Sequence, residues 1–117
     1  MAVQSYRDLI VWQKAMDLVT KIYQLVRAFP SVEQYGLTSQ ICRAAVSIPS
    51  NIAEGHGRNS MNELHRFLSI ARGSLVETQT QIEIAYRLGY VSKEEIHEIW
   101  SLQDEIGKML WAMLKKN

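Results

Sequence analysis

The sequence predicts an all-α protein, an antiparallel up-down-up-down four-helix bundle. Three observations lead there. Four segments repeat their apolar residues with the helical period. No stretch alternates with period two for long enough to suggest a strand. Two prolines and six glycines in 117 residues leave too few turns for a many-stranded sandwich or barrel. Short connections between the four segments favour antiparallel neighbours. At 13.4 kDa the chain amounts to one domain over 1–117, long enough to bury a core without staples.

The first helix is expected from about Asp8 to Phe29 (8–29). Leu9, Trp12, Met16, Val19, Tyr23 and Val26 line one face, and Val11, Ala15, Leu18, Ile22, Leu25 and Phe29 form a second seam beside it. Such a broad apolar surface exceeds the stripe of a helix that packs on one side only. Pro30 ends this helix, because the residue before a proline is pushed out of the α region. The second helix, 37–55, buries Leu37, Ile41, Ala44, Ala45, Ile48 and Ile52. Pro49 lies inside it and removes the bond to the carbonyl of Ala45, so a kink is expected, with Ser47 and Ser50 available to the freed groups. The third helix, 60–88, opens on Ser60-x-x-Glu63, a capping box, and closes on Gly89. Its seam is Leu64, Leu68, Ala71, Leu75, Thr78, Ile82 and Ala85, widened by Phe67, Ile70 and Ile84. The fourth, 92–115, opens on a second capping box, Ser92-x-x-Glu95. It buries Ile96, Ile99, Ile106, Leu110 and Met113 around an interrupting Gln103.

Composition narrows the function classes. One cysteine, Cys42, excludes an intrachain disulfide and a cysteine-based zinc site. No run approaches the roughly 18 apolar residues of a membrane span, and Met1 to Arg7 lacks the charged-then-apolar pattern of a signal peptide, so a cytoplasmic protein with no membrane partner is expected. The net charge of +1 is far below that of a dedicated nucleic-acid binder. It is unevenly spread: residues 1–73 hold eight basic and five acidic side chains, residues 74–114 three basic and seven acidic.

No residue pattern points to catalysis, a metal or a cofactor. His56, His65 and His97 form no i, i+4 histidine pair, and Glu94-x-x-His97 is a single copy of a motif that a di-iron site needs twice. His97 with Glu94 and Glu98 reads more simply as a solvated helical surface. Cys42 beside Arg43 fits a thiol of lowered pKa or, more simply, a small packed residue. No nucleophile arrangement, phosphate loop or dinucleotide fingerprint is present. A non-enzymatic protein is expected.

The segment Ser47-Ile48-Pro49-Ser50-Asn51-Ile52-Ala53-Glu54-Gly55-His56-Gly57-Arg58 joins a helical proline to a polar stripe and a glycine-bounded exit. With Asp8 to Ala15, Phe29-Pro30, Glu33 to Leu37, Gln40 to Ala45, Arg66-Phe67-Leu68, Ala71 to Leu75, Glu77 and Leu88-Gly89-Tyr90, it resembles the bacterial 23S rRNA-intervening sequence proteins over nearly the whole chain. The resemblance implies a four-helix bundle that assembles into a ring-like homo-oligomer, typically a homopentamer. It implies no established enzymatic activity and no defined molecular function.

If the second and third helices fold back around residues 58–59, Arg43 comes near Glu77, and Glu54 near Arg66. Ion pairs Arg43–Glu77 and Glu54–Arg66 are then expected, within a polar network of Gln40, Arg43, Ser47, Asn51, Glu54, Arg66 and Glu77. Such a stripe is either a solvated face of weak pairs or a partly buried network that sets register. Gly73 and Ser74, opposite Ala44 and Ala45, are expected to let the two helices approach closely. Two functions follow. The excess apolar surface, including Trp12, Trp100 and Trp111, points to an oligomeric interaction or scaffold module with these tryptophans at the interface. The alternative is an accessory protein that binds RNA or DNA through a basic face of the oligomer, with Lys14, Lys21, Arg58 and Arg72 as its free cations.

Overall fold

The computed structural model describes residues 5–116, so the first four residues of the Met1–Arg7 segment lie outside it. Those described residues form α1 (Ile10–Leu25), α2 (Leu37–His56), α3 (Met61–Arg87) and α4 (Lys93–Lys115), with no strand among them. Short 3-10 turns occupy Tyr6–Asp8, Val26–Ala28 and Ser31–Glu33. The four helices pack in the pairs α1–α2, α2–α3, α3–α4 and α4–α1, and the α2–α3 contact is the most extensive. The body measures 43 × 26 × 21 Å. A helix of 27 residues is about 40 Å long at 1.5 Å per residue, so α3 runs nearly its full length.

Local chemistry explains each boundary. The first helix begins two residues later than expected, because Leu9 is extended (φ −74°, ψ 122°) between the 3-10 turn and α1. It tightens to a 3-10 turn at Val26–Ala28, and Phe29 is extended ahead of Pro30 as the proline requires. The α2 helix is unbroken through Pro49, which is buried. Neither serine closes the proline gap in the expected way. The hydroxyl of Ser47 turns to Ser74 on α3; separately from the freed Ala45 carbonyl, Asn51 Nδ2 donates to the Ser47 carbonyl at 2.8 Å.

Helix α3 ends in a Schellman motif. Tyr90 N–H donates to the Ala85 carbonyl and Gly89 N–H to the Tyr86 carbonyl, with Gly89 at φ +81°. Ser92 and Glu95 form a reciprocal capping box on α4. The box at α3 is half made: Ser60 Oγ accepts from Glu63 N–H, but the Glu63 carboxylate is held by Arg66 instead.

The core takes one seam of α1 (Val11, Ala15, Leu18, Ile22 and Leu25) and sets it against Ile41, Ala45, Ile48 and Ile52 of α2. Leu68, Ala71, Leu75, Ile82 and Ala85 of α3, and Ile96, Ile99, Leu102, Ile106 and Leu110 of α4, complete it. The other seam of α1 divides: Trp12 and Val19 pack on the core edge, while Met16 and Tyr23 stay exposed. Gln103 is buried within this core, and its Nε2 donates to Thr78 Oγ1 at 3.4 Å.

Close approach of α2 and α3 occurs at Gly55, not at Gly73. A Cβ on Gly55 would lie 2.9 Å from Phe67 Cβ and 3.3 Å from the Leu64 carbonyl oxygen, whereas one on Gly73 would meet nothing within 4 Å. Fold-back symmetry placed the glycine correctly along α3 but not around it, since Gly73 points outward. Gly55→Ala should therefore destabilise the protein by about 1–3 kcal/mol through overpacking, read as a lower urea midpoint at fixed protein concentration. Gly73→Ala should be neutral or mildly stabilising, because Ala is the better helix former.

Candidate interaction surfaces

The polar stripe of α2 separates into a half-buried centre and solvated ends. At the centre Ser47 Oγ and Ser74 Oγ lie 2.8 Å apart, and Asn51 Nδ2 donates to Ser47 Oγ at 2.9 Å. Arg43 and Glu77 line the same shallow groove with Gln40 and Ser47, but no ion pair joins them. Glu54 pairs with Arg58, just past the end of α2, at 3.0 Å, and Arg66 with Glu63 on α3 at 3.1 Å, so the expected Glu54–Arg66 pair is replaced by two pairs between residues close in sequence. The reason is reach: partners three or four residues away on one helix are already neighbours. Gln40, Arg43, Glu54, Arg66 and Glu77 are all exposed.

The Glu63–Arg66 pair moves both groups as a charge pair should. Arg66, hydrogen-bonded to Glu63, holds that carboxyl below the usual range, and Glu63 raises the guanidinium in turn. A carboxyl depressed in the folded state contributes stability above its unfolded pKa and loses it as the pH falls. Both side chains are largely exposed, so this contribution is small.

Three of the four cations expected to be free are engaged. Lys14 pairs with Glu105 at 3.1 Å and Lys21 with Glu98, which closes the α1–α4 face with ion pairs. Arg58 is held by Glu54 and stacks over the Phe67 ring at 4.9 Å, with Arg66 at 4.5 Å from the same ring. Among the described residues Arg72 has no carboxylate partner; its guanidinium lies 5.4 Å from the Trp111 ring, where Lys115 also approaches at 5.7 Å. Sequence spacing located these cations but not the acidic residues of α4 that reach across to α1.

The tryptophans differ. Trp12 is half-buried, edge-on to Tyr6 and under Arg7. Trp100 meets Tyr86 and His97 edge-on. Trp111 is the most open, 54% exposed beneath Arg72. Further apolar exposure, not anticipated as interface, runs along α3 through Ile70, Val76, Ile84 and Leu88, and reaches its highest values at Val32 and Tyr35 in the connector before α2. The signal for the α3 exposure was present: Ser69, Gly73, Val76, Thr80 and Ile84 recur at helical spacing without a charge.

The lowered-pKa reading of Cys42 is reversed. Burial pushes its thiol up, and Tyr23 beside it offsets this only in part. Among the described residues no three His, Cys, Asp or Glu side chains converge where a metal ion could sit. None of the described helices is long and apolar enough to cross a membrane.

A family model, that of the 23S rRNA-intervening sequence protein, matches residues 7–112. The chain belongs to this family. Its fold is also that of a crystal structure of a protein of unknown function from the S23 ribosomal protein family of Bacteroides thetaiotaomicron. That protein is 28% identical, with a TM-score of 0.83 over 92% of this chain and 100% of that one. No curated protein matches the sequence. As a member of the intervening-sequence family, the chain places the segment Ser47 to Arg58 at the tight α2–α3 contact.

In that contact the hydroxyl pair, rather than the charges, should matter. A double-mutant cycle of Arg43→Ala with Glu77→Ala should give a coupling under about 0.5 kcal/mol, and Ser74→Ala alone should cost about 1 kcal/mol. A coupling well above 1 kcal/mol in urea unfolding would restore the buried-network reading.

Proposed function

We propose that this family member is a non-enzymatic interaction or scaffold protein: an antiparallel up-down-up-down bundle that works as a ring-like homo-oligomer. The antiparallel reading is supported by paired contacts that run in opposite senses. Lys14 meets Glu105 and Lys21 meets Glu98; Ser47 meets Ser74 and Gly55 meets Phe67. The observation that carries the assembly is exposed apolar surface in two places. Met16, Tyr23 and Val46 lie open along α1–α2, at 41%, 46% and 41% exposure, and Ile70, Val76, Ile84 and Leu88 lie open along α3. Isolated exposed apolar residues are ordinary, but contiguous strips mark association surfaces. Native mass measurement at micromolar concentration should give a multiple of the 13.4 kDa chain, five-fold if the ring follows the family resemblance. A stable 13.4 kDa species would overturn the proposal.

A second reading, RNA association, is favoured by one cluster. Arg72 and Lys115 flank the open Trp111 ring, with no carboxylate partner for Arg72 among the described residues, a pairing of cations and aromatic suited to backbone and unstacked bases. A ring would repeat the cluster in every copy. The engagement of Lys14, Lys21 and Arg58 leaves the basic face smaller than expected. Under this reading a structured RNA should bind at about 50 mM salt, weaken steeply toward 200 mM, and bind less to Arg72→Ala. No shift at the lower salt would overturn it.

A further inference from the structure

A cation beside an aromatic ring attracts a strand without saying which base it holds. We propose that the groove between α3 and α4 takes one unpaired, amino-bearing base of a single-stranded RNA. The base lies over Gly107, its face against Trp111 and its amino group donating to Gln103 Oε1, with the adjoining phosphate on Arg72. This rests on the RNA reading above and adds the pocket, the kind of base and the residue that reads it.

On α4 the groove is lined by Gln103, Gly107 and Trp111, each four residues from the next and so on one helical face. Arg72, Leu75 and Gln79 of α3 stand opposite. The groove encloses about 260 Å³, just under the roughly 300 Å³ at which pockets for drug-sized ligands begin. That suits a single planar ring better than a larger molecule.

Three features meet there, and packing accounts for none of them. Gln103 is 1% exposed, yet its Oε1 has no hydrogen-bond donor among the described residues. The sense of the amide is fixed. The Thr78 hydroxyl gives its proton to the Leu75 carbonyl at 2.7 Å, so Thr78 Oγ1 accepts from Gln103 Nε2 and Oε1 is left over. A buried acceptor without a donor is destabilising. Gly107 lies in the interior of α4, where only proline is a poorer helix former. A Cβ there would stand 3.5 Å from Leu75 Cδ2, an ordinary contact, so packing does not require the glycine. What it provides is an open floor between Gln103 and Trp111. Trp111 in turn is exposed, and Arg72 over it has no carboxylate partner among the described residues.

Together these features select the occupant. An indole face takes a planar ring, a guanidinium without a carboxylate takes a phosphate, and an acceptor without a donor takes an N–H. Positions 103 and 111 are about 12 Å apart along the helix at 1.5 Å per residue, with Gly107 midway, so a base over Gly107 reaches toward both. Oε1 is shielded from water, but the last torsion of glutamine is soft. A rotation of the amide turns the oxygen to the groove, and the Thr78 bond it loosens is already long at 3.4 Å. Asp104 also lines the groove; Lys108 pairs with it at 3.1 Å, which leaves Arg72 as the uncompensated charge. An acidic peptide would answer Arg72 alone, whereas a nucleotide answers all three groups.

The test compares a short fluorescent oligoadenylate with the same oligomer carrying purine in place of adenine, which lacks only the 6-amino donor. At about 50 mM salt the wild-type protein should bind the adenine oligomer about tenfold more tightly. Gln103→Leu should bring the two affinities together with helical circular dichroism unchanged. Gly107→Leu, which fills the floor, should weaken the adenine oligomer by about tenfold or more. Arg72→Ala should weaken both oligomers alike. Equal affinity of the wild-type protein for the two oligomers overturns the base site, and that comparison needs no variant to fold. A folded Gly107→Leu protein that binds the adenine oligomer as the wild type does also overturns it. In either case binding that still falls with Arg72→Ala leaves the RNA reading standing. No binding of either oligomer overturns the base site; if structured RNA fails as well, the RNA reading falls with it.

Discussion

The tight contact of α2 with α3 is the constraint on which the rest of the molecule depends. At Gly55 the two helices come so close that a single methyl would collide with Phe67 Cβ. Further along, Ser47 and Ser74 share a hydrogen bond where bulkier side chains would hold the helices apart. These two points fix the relative rotation of the pair. Once it is fixed, Ile41, Ala45, Ile48 and Ile52 must face Leu68, Ala71, Leu75 and Ile82, and α1 and α4 cover the apolar faces that remain. The same rotation turns Gly73, Val76, Thr80 and Ile84 outward, so the shape of the exposed ridge follows from the packing at Gly55.

Much of the fold was legible in the sequence because its signals are local. Helical periodicity, Pro30, the Gly89 stop and the Ser92 capping box act over one or two turns, and a sequence displays such ranges directly. The errors arose where the outcome depends on competition between partners. Glu54 and Arg66 had each other within plausible reach across the helices, yet each found a partner nearer in sequence, Glu54 in Arg58 of the turn and Arg66 in Glu63 of α3. Lys14 and Lys21 looked free because their carboxylates lie more than seventy residues away in the chain, on α4. Gly73 looked like a contact glycine because pairing sums give height along a helix and say nothing of rotation about its axis.

The candidate surface was less legible than the core for a related reason. The broad apolar flank of α1 was visible, and the structure divides it into a core seam and an open seam, with Met16 and Tyr23 on the open side. Spacing alone assigns Ile70 and Ile84 to a widened inward seam of α3, since a hydrophobic residue beside a seam is usually part of it. Their exposure emerges only when α2 and α4 are seen to occupy the flanks and leave the crest uncovered. The three tryptophans drew attention by size, but Trp12 is capped by Tyr6 and Arg7, and Trp100 is flanked by Tyr86 and His97.

Charge placement sorts the faces by use. Ion pairs cross the α1–α4 face, joining Lys14 to Glu105 and Lys21 to Glu98. The pairs Glu54–Arg58 and Glu63–Arg66 cluster at the α2–α3 turn, over Phe67. The groove between α1 and α2, lined by Trp12, Met16, Val19, Val46, Pro49 and Ala53, carries no charge, whereas Glu83 and Arg87 pair on the outer face of α3. Desolvating an unpaired charge costs far more than burying a methyl group gains, so a surface that is to be covered repeatedly by another molecule is best left without one. The faces bridged by ion pairs remain suited to water, and those without charge are the faces that a neighbouring molecule can cover at least cost.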